Sequence, residues 1–214
     1  MEEPDFRAIE LAGGLDTKVS IIPAAAASDS NHERAGHKGV QWFHRLGARN
    51  VILSPLIDRI SAEDSSTASS LGSSRFIYLL GGFPDCLAQV LAGSISWQAI
   101  LDAYHAGAVV GGSSAGAMVL CEHYFNPHTG IVVEGLKLVP KACVVPHHDT
   151  FGRSWVCHIM RSIPEETIIG IDEETGMIND GPDGRWSVYG KGSVTLYIGQ
   201  ESRSYHSGEG FSLD

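Results

Sequence analysis

The stretch AVVGGSSAGAMVL, Ala108 to Leu120, joins a β-branched run to helix-forming residues through a tight cluster of glycines and serines. A short apolar run that ends in glycine predicts a buried strand, and AGAMVL has the composition of a helix. Between them, residues 112–116 (GSSAG) match G-x-S-x-G, the pattern of a nucleophilic serine on a strand-to-helix turn, with Ser114 as the central residue. Glycine-serine turns without chemistry have the same pattern, so the hypothesis requires partner residues elsewhere.

Strand and helix signals alternate along most of the chain on both sides of this stretch. The strand signals are KVSIIPAAA, NVILSP, RFIYLLGG, AVVGG, ACVVPHH and TIIGID, and helical spacing occurs in NHERAGHKGVQWFHRLG and ISWQAILDAYHAG. This alternation predicts a three-layer α/β fold, a mostly parallel sheet with helices on both faces. Turn dipeptides in GMINDGPDGRWSVYGKGSVTLYI predict C-terminal antiparallel hairpins at the sheet edge. The segment SAEDSSTASSLGSSR fits either a polar helix or a mobile loop.

The amino-acid composition is that of an ordinary globular domain, since 43% of the 214 residues are hydrophobic. The formal net charge of −10, with scattered basic residues, argues against a nucleic-acid partner. No uncharged run approaches the roughly 18 residues of a membrane helix, and the first residues lack an apolar signal core. Four cysteines without CxxC spacing, three of them in apolar surroundings, predict buried reduced thiols in a cytoplasmic protein. The sequence does not determine the oligomeric state, and a homodimer is compatible with it.

A nucleophilic serine needs a base, and open α/β sheets place such groups at the carboxyl ends of their strands. His147 and His148 follow one predicted strand, and Asp172 and Glu173 follow another. Either acid is placed to orient a histidine in a catalytic triad. A metal site formed by the two histidines and Asp149 is disfavoured, because adjacent side chains in an extended chain point in opposite directions.

Backbone groups near the serine are candidates for an oxyanion hole. The N–H of Ala115, at the start of the predicted helix, is one candidate donor. Gly81 and Gly82 end another predicted strand, and glycine there permits close approach of the backbone to a substrate.

Four motifs occur in the order YLLGGFPDCL, GGSSAGAM, VVPHHDTFGR and IIGIDEETGMI. Together they resemble peptidase family S51, the group of aspartyl dipeptidase (peptidase E) and cyanophycinase. The resemblance implies a class I glutamine amidotransferase-like fold and a Ser-His-Glu triad that uses no metal or cofactor. On this chain it implies Ser114 as nucleophile, His147 as base and Glu173 as acid. It also places Arg153 where cyanophycinase-like members have a substrate-binding arginine, a partner for a substrate carboxylate.

The chain also departs from the family's pattern. Family members usually open with a strand that ends in a GGGE-like turn, whereas this chain begins in what resembles the following helix. The resemblance therefore implies a single S51-like domain over residues 1–214 that lacks the first Gly-rich strand. GGFPD differs from the family's GGN or GGDQ turns, and HHDTFGRSW lacks the several arginines found beside the cyanophycinase histidine. The lack of these arginines makes cyanophycin a less expected substrate.

The leading hypothesis is a serine peptidase that cleaves an amide bond in a small peptide or amide substrate, with Asp beside that bond as one candidate. An α/β-hydrolase-type esterase is an alternative, with Ser114, Asp172 or Asp183, and His206 in that chain order. A non-catalytic amidotransferase-like binding domain is a further alternative. A glutamine amidotransferase would require cysteine at the position of Ser114.

Overall fold

The structure, a computed structural model, describes residues 1–213, which form two compact units. One unit is Ala8–Leu120, and the other comprises Met1–Arg7 and the chain from Cys121 onward. The helices are α1 (Glu2–Leu11), α2 (His32–Arg45), α3 (Arg59–Ala62), α4 (Ser65–Gly72), α5 (Pro84–Leu91), α6 (Ile95–His105), α7 (Ala115–Val119) and α8 (Val156–Ser162). None of these described helices is long and apolar enough to cross a membrane.

Thirteen short strands accompany these helices in the described part of the chain. They are β1 (Lys18–Ile22), β2 (Asn50–Leu53), β3 (Phe76–Leu79), β4 (Val109–Gly112), β5 (His123–Asn126), β6 (Ile131–Glu134), β7 (Ala142–Val145), β8 (Thr167–Ile171), β9 (Thr175–Ile178), β10 (Trp186–Gly190), β11 (Ser193–Ile198), β12 (Glu201–His206) and β13 (Gly210–Phe211). All six strands predicted from the sequence are present. The prediction of a single domain over the whole chain stays a prediction.

The unit Ala8–Leu120 is built on a parallel sheet of strand order β2-β1-β3-β4. Strands β1 and β3 are almost entirely buried, as expected for a parallel sheet covered by helices. Phe43 of α2 packs edge-on against Phe76 and Tyr78 of β3, and all three rings are buried. These contacts fix the amphipathic helix α2 on the sheet. The helix ends just before Gly47, whose φ of +97° is a conformation typical of glycine after a helix C-terminus.

The serine-rich segment is largely helical: it forms the last two residues of α3 and all of α4. Each helix begins at an aspartate whose carboxylate accepts a hydrogen bond from a backbone N–H in the first turn. Asp58 accepts from the N–H of Ser61 and Asp64 from that of Thr67, both at 2.8 Å. These caps satisfy N–H groups that the helix itself leaves without partners, which favours helix over loop in this polar sequence.

The second unit contains a mixed sheet of strand order β12-β11-β8-β7. Its strands β7 and β8 are parallel, and the hairpin β11–β12 adds to β8 in antiparallel fashion. Strands β13, β10 and β9 form a separate antiparallel sheet, so the predicted C-terminal hairpins are confirmed. The hairpin β5–β6 was not predicted, because its four-residue strands with charged ends show no clear alternation.

A buried carboxylate, Asp180, connects the first residues of the chain to this antiparallel sheet. It accepts hydrogen bonds from the Tyr189 hydroxyl at 2.6 Å and from Nε of Arg7 at 2.8 Å. Burial raises the pKa of Asp180, but the interactions with Tyr189, Arg7 and Ser187 together outweigh that effect and hold the pKa below its ordinary value of 3.8. The side chain of Asp180 is only 3% exposed, so the ion pair with Arg7 is largely shielded from solvent on the carboxylate side.

The cysteines are free thiols, and their burial follows the prediction except at one position. Cys121 and Cys143 are buried, and burial raises the pKa of the Cys121 thiol to about 12. Cys157 is exposed, although its apolar neighbours predicted burial. In α8 the core-facing positions are Val156 and Ile159, and helical spacing turns Cys157 away from that face.

Candidate active site

Ser114 lies at the turn where β4 passes into α7. Its backbone has φ +49° and ψ −117°, a conformation that non-glycine residues rarely adopt. Such backbone strain costs about 1–3 kcal/mol and is concentrated at functional sites. The N–H of Ser113 donates to the carbonyl of Leu79 at 3.0 Å, which ties the turn to β3. The structure therefore has, at Ser114, the sharp strained turn that the G-x-S-x-G pattern describes.

The two outer glycines of the pattern are required by close backbone packing. A Cβ placed on Gly112 would lie 2.6 Å from the carbonyl carbon of Gly116. A Cβ on Gly116 would overlap the carbonyl oxygen of Leu79 and lie 2.7 Å from its carbon. Strand β3, strand β4 and helix α7 therefore approach each other at distances that only glycine allows.

The turn at Gly81 and Gly82 lies directly beside the serine, in the same unit. A Cβ on Gly81 would be 3.1 Å from Cβ of Ser114 and 3.7 Å from its Oγ. Gly82 has φ +146° and packs on the backbone of Ala25, where a Cβ would lie 2.6 Å from the carbonyl carbon. The N–H of Phe83 donates to the same carbonyl at 2.7 Å. The sequence-predicted turn is thus fixed next to Ser114.

In the second unit, His147 and Glu173 form a direct pair. Nδ1 of His147 lies 2.6 Å from Oε1 of Glu173, and their side chains are 29% and 50% exposed. His147 follows β7 with φ +55°, and its carbonyl accepts hydrogen bonds from the N–H groups of Thr150 and Gly152. An imidazole whose Nδ1 is held by a carboxylate has the orientation of a general base supported by an acid.

The segment after His147 supports both members of this pair. Oδ1 of Asp149 accepts a hydrogen bond from the N–H of Glu173 at 2.9 Å, which positions the acid through its backbone. The ring of Phe151 stacks on the imidazole of His147, with centroids 4.8 Å apart and planes 25° from parallel. Phe151 is 55% exposed and forms an apolar wall beside the imidazole of His147.

His148 and Asp172 form a second, buried pair. Nδ1 of His148 lies 3.1 Å from Oδ1 of Asp172, and Nε2 lies 2.8 Å from the hydroxyl of Tyr197. Oδ2 of Asp172 accepts from the N–H and the hydroxyl of Ser193 at 2.8 and 2.7 Å. Burial raises the pKa of Asp172, but the hydrogen bonds from Ser193 and His148 outweigh it and leave the pKa below its ordinary value. The adjacent histidines bind different carboxylates, so this geometry does not direct them at one metal ion.

Of the described residues, one cluster has its potential metal-ligating atoms within 4.8 Å of one another: Glu122, His123 and Glu166. Nδ1 of His123 lies 2.5 Å from Oε1 of Glu166. Oε2 of Glu122 accepts a hydrogen bond from the N–H of Lys141 at 2.7 Å. Oε2 of Glu166 is buried and has no hydrogen-bond partner among the described residues.

Arg153 is exposed on the 3-10 turn Gly152–Trp155. Burial raises the pKa of the Tyr197 phenol, and the nearby charge of Arg153 partly offsets this effect. The hydroxyl of Tyr197 lies 2.8 Å from Nε2 of His148. The sequence suggested Asp149 only as a disfavoured metal ligand and did not identify Phe151 or Tyr197 as site residues. The first two lie in DTFGR, directly after the histidines, where their position was a usable signal. Tyr197 lies far along the chain in an alternating strand, which gives no such signal.

The esterase alternative requires His206 to pair with Asp172 or Asp183, and the described residues of the second unit do not form that pair. Asp172 pairs with His148 and Ser193, whereas His206 is exposed at the end of β12. Asp183 is an exposed turn residue with φ +58°. Of the two histidines that follow β7, His147 is the one that combines a carboxylate at Nδ1 with partial exposure.

An α/β scaffold with a serine on a strained strand-to-helix turn is typical of serine hydrolases. The sequence model of peptidase family S51 matches residues 5–184, and the chain belongs to this family. It is a serine-type peptidase that cleaves amide bonds.

Relatives and solved structures agree with this assignment. The chain is 30% identical over 200 residues to a cyanophycinase of Geminocystis herdmanii (strain PCC 6308), covering 88% of this chain and 72% of that protein. It is 29% identical over 196 residues to a cyanophycinase of Trichormus variabilis (strain ATCC 29413 / PCC 7937), covering 86% of this chain and 64% of that protein. The chain thus spans less than two thirds of the second relative.

Two solved structures extend the similarity to almost the whole chain. The crystal structure of a peptidase from an acI-B1 Actinobacterium matches with a TM-score of 0.86 at 28% identity, over 98% of this chain and 89% of that one. A Listeria monocytogenes EGD-e protein named after peptidase E matches with a TM-score of 0.60 at 19% identity, over 95% and 92% of the two chains. The second similarity shows the fold alone.

Proposed function

We propose that Ser114, His147 and Glu173 are the catalytic triad of a peptidase that acts on small peptides. The first candidate substrates are peptides that have Asp beside the scissile bond. The observation that carries this proposal is the 2.6 Å contact between Nδ1 of His147 and Oε1 of Glu173. The greater exposure of this pair, at 29% and 50%, supports it over the buried pair His148 and Asp172. The strained backbone of Ser114 supports its role as the nucleophile.

In the proposed reaction, Oγ of Ser114 attacks the amide carbonyl carbon while Nε2 of His147 accepts its proton. The resulting imidazolium donates that proton to the leaving amine as the carbon–nitrogen bond breaks. Water then attacks the acyl-serine with the same histidine as base, which releases the acid and restores the hydroxyl of Ser114. Glu173 keeps a proton on Nδ1 and stabilises the imidazolium in both steps.

The negative oxygen of the tetrahedral intermediate requires hydrogen-bond donors. We assign this role to the N–H of Ala115 and to the turn Gly81–Gly82. The support is the close approach of Gly81 to Ser114, since a Cβ on Gly81 would lie 3.7 Å from Oγ of Ser114. The chemistry needs no metal or cofactor, because serine, histidine and glutamate supply the nucleophile and every proton transfer.

The substrate is proposed to carry a carboxylate that binds the guanidinium of Arg153. The net charge of −10 favours neither nucleic acid nor an anionic membrane surface as a partner. The free thiols of Cys86, Cys121, Cys143 and Cys157 support a cytoplasmic location, where thiols stay reduced. A homodimer is compatible with all of these features.

The test is a screen of dipeptides with N-terminal Asp and of β-aspartyl peptides against wild type and Ser114→Ala. The proposal expects hydrolysis of at least one peptide by wild type and none above background by Ser114→Ala. His147→Ala is expected to abolish the same activity, whereas His206→Ala is expected to leave it unchanged. Activity that survives His147→Ala and is lost in His206→Ala would favour the esterase arrangement. Failure of wild type to hydrolyse any peptide would favour a binding domain.

A further inference from the structure

The strand pairing between β7 and β8 ends before it reaches the proposed catalytic pair. The last paired residues of the two strands are Val145 and Gly170. Pro146 follows and has no N–H to donate, and the backbone then turns at His147, whose φ is +55°. The position of His147 relative to Glu173 therefore depends on contacts other than the strand pairing.

The residues next to the pair hold the two strand ends together. The N–H of His148 donates to the carbonyl of Ile171 at 3.0 Å. Nδ1 of the same histidine lies 3.1 Å from Oδ1 of Asp172. Oδ1 of Asp149 accepts a hydrogen bond from the N–H of Glu173 at 2.9 Å. These contacts join the segment that follows β7 to the segment that follows β8.

The side chain of His148 has a fixed orientation in this arrangement. It is only 6% exposed, and its ring lies on Gly170, where a Cβ would be 2.6 Å from Cγ of the ring. Nε2 of His148 lies 2.8 Å from the hydroxyl of Tyr197. On the other side, Oδ2 of Asp172 accepts hydrogen bonds from the N–H and the hydroxyl of Ser193. Rotation of the His148 ring would break the contacts of both ring nitrogens.

The buried pair and the proposed catalytic pair occupy opposite sides of the same two segments. The side chains of His148 and Asp172 are 6% and 14% exposed, whereas those of His147 and Glu173 are 29% and 50% exposed. Side chains of adjacent residues in an extended chain point in opposite directions. Holding Asp172 on the buried side therefore directs Glu173 to the exposed side, toward the imidazole of His147.

We propose that His148 is a positioning residue that, through Asp172, holds the carboxylate of Glu173 at Nδ1 of His147. The inference rests on the proposed triad, which gives the exposed pair its role. A carboxylate that is in place before the reaction stabilises the imidazolium without reorganisation when the charge forms. Loss of His148 should therefore reduce kcat and leave substrate binding largely unchanged.

The first experiment measures kcat and KM on the best peptide of the screen in two variants, with thermal unfolding to show that each is folded. Tyr197→Phe removes the hydroxyl at Nε2 of His148, and His148→Phe removes both ring contacts. We expect kcat to fall by about 3- to 10-fold in Tyr197→Phe and by about 10- to 100-fold in His148→Phe. KM should stay within about 3-fold of wild type in both variants.

Tyr189→Phe is the matched control. It removes a hydroxyl that donates to the buried carboxylate of Asp180 at 2.6 Å, in the same unit and outside the proposed site. This variant should lose stability and keep kcat within about 2-fold of wild type.

A double-mutant cycle distinguishes positioning from a general loss of structure. If His148 acts through Glu173, adding His148→Phe to Glu173→Gln should lower kcat by less than about 3-fold. The same factor in both backgrounds, or wild-type kcat in His148→Phe, overturns the proposal. Tyr197→Phe is used in the cycle if His148→Phe does not fold.

A second readout needs no turnover, because NMR of the resting protein detects the proton that Nδ1 of His147 shares with Glu173. This signal should be protected from exchange in wild type and Tyr189→Phe, and weakened or lost in His148→Phe and Tyr197→Phe. Absence of the signal from wild type, or an unchanged signal in His148→Phe or Tyr197→Phe, overturns the proposal. If hydrolysis by wild type does not depend on Ser114, the proposed triad fails, and the proton signal alone decides whether His148 positions the pair.

Discussion

Replacing Glu173 by Gln isolates what the carboxylate contributes to catalysis. Glutamine keeps the shape of the side chain and an acceptor oxygen near Nδ1 of His147, but it removes the charge that stabilises the imidazolium. Two unit charges about 4 Å apart interact by about 1 kcal/mol in bulk water and about 4 kcal/mol at an effective dielectric constant near 20. The partners are 29% and 50% exposed, so the loss lies between these limits. At about 1.4 kcal/mol per tenfold, kcat falls roughly 5- to 1,000-fold.

The assay is kcat and kcat/KM for the best peptide of the screen, with thermal unfolding to show that the variant is folded. Glu174→Gln is the matched control, because Glu174 is the next residue and pairs with the exposed Lys191. An exposed ion pair contributes about 0–1 kcal/mol to stability, and this one lies outside the proposed triad, so activity should remain at the wild-type level. A folded Glu173→Gln with wild-type kcat would refute the assigned role of Glu173.

Three further predictions concern the scaffold. Gly116→Ala introduces a Cβ that overlaps the Leu79 carbonyl, so it should destabilise the protein by about 1–3 kcal/mol or more in urea unfolding and abolish activity; unchanged stability and activity would contradict the packing. Cys157 should react rapidly with a thiol reagent and Cys121 only on unfolding, and a Cys157→Ser protein that keeps the fast phase would contradict this. Because the pKa of Asp180 is lowered in the folded protein, its contribution to stability is present above the unfolded pKa of about 3.8 and is lost as the pH falls through the folded value. Asp180→Asn should therefore lose less of its free energy of unfolding on acidification than wild type. An identical pH dependence of the two proteins would exclude this contribution.

Many of the helices and strands are encoded by local sequence patterns and were predictable from the sequence. Buried strands such as β3 and the amphipathic helix α2 have periodic patterns that do not depend on distant contacts. The helical state of the serine-rich segment was also encoded, because Asp58 and Asp64 each stand three residues before a serine or threonine, an N-cap signal. That signal was outweighed by the polar composition of the segment.

The choice of histidine was not predictable from the residues alone, because it depends on tertiary contacts. His147 takes φ +55° and meets Glu173, while Gly170 provides the space in which the ring of His148 is buried. The two adjacent histidines at the end of β7 therefore have different environments: the side chain of His147 is partly exposed, whereas that of His148 is buried. The family resemblance predicts His147 as the base, and that assignment stays a prediction.

The most direct test of the central claim compares Ser114→Ala with Ser113→Ala on one hydrolysed peptide, with both variants shown to be folded. The two serines are adjacent in the same turn, and only Ser114 has the strained backbone. The account predicts that Ser114→Ala lowers kcat by about 10⁴-fold or more, while Ser113→Ala stays within about 10-fold of wild type. Full turnover by Ser114→Ala, or equal losses in the two variants, would contradict it.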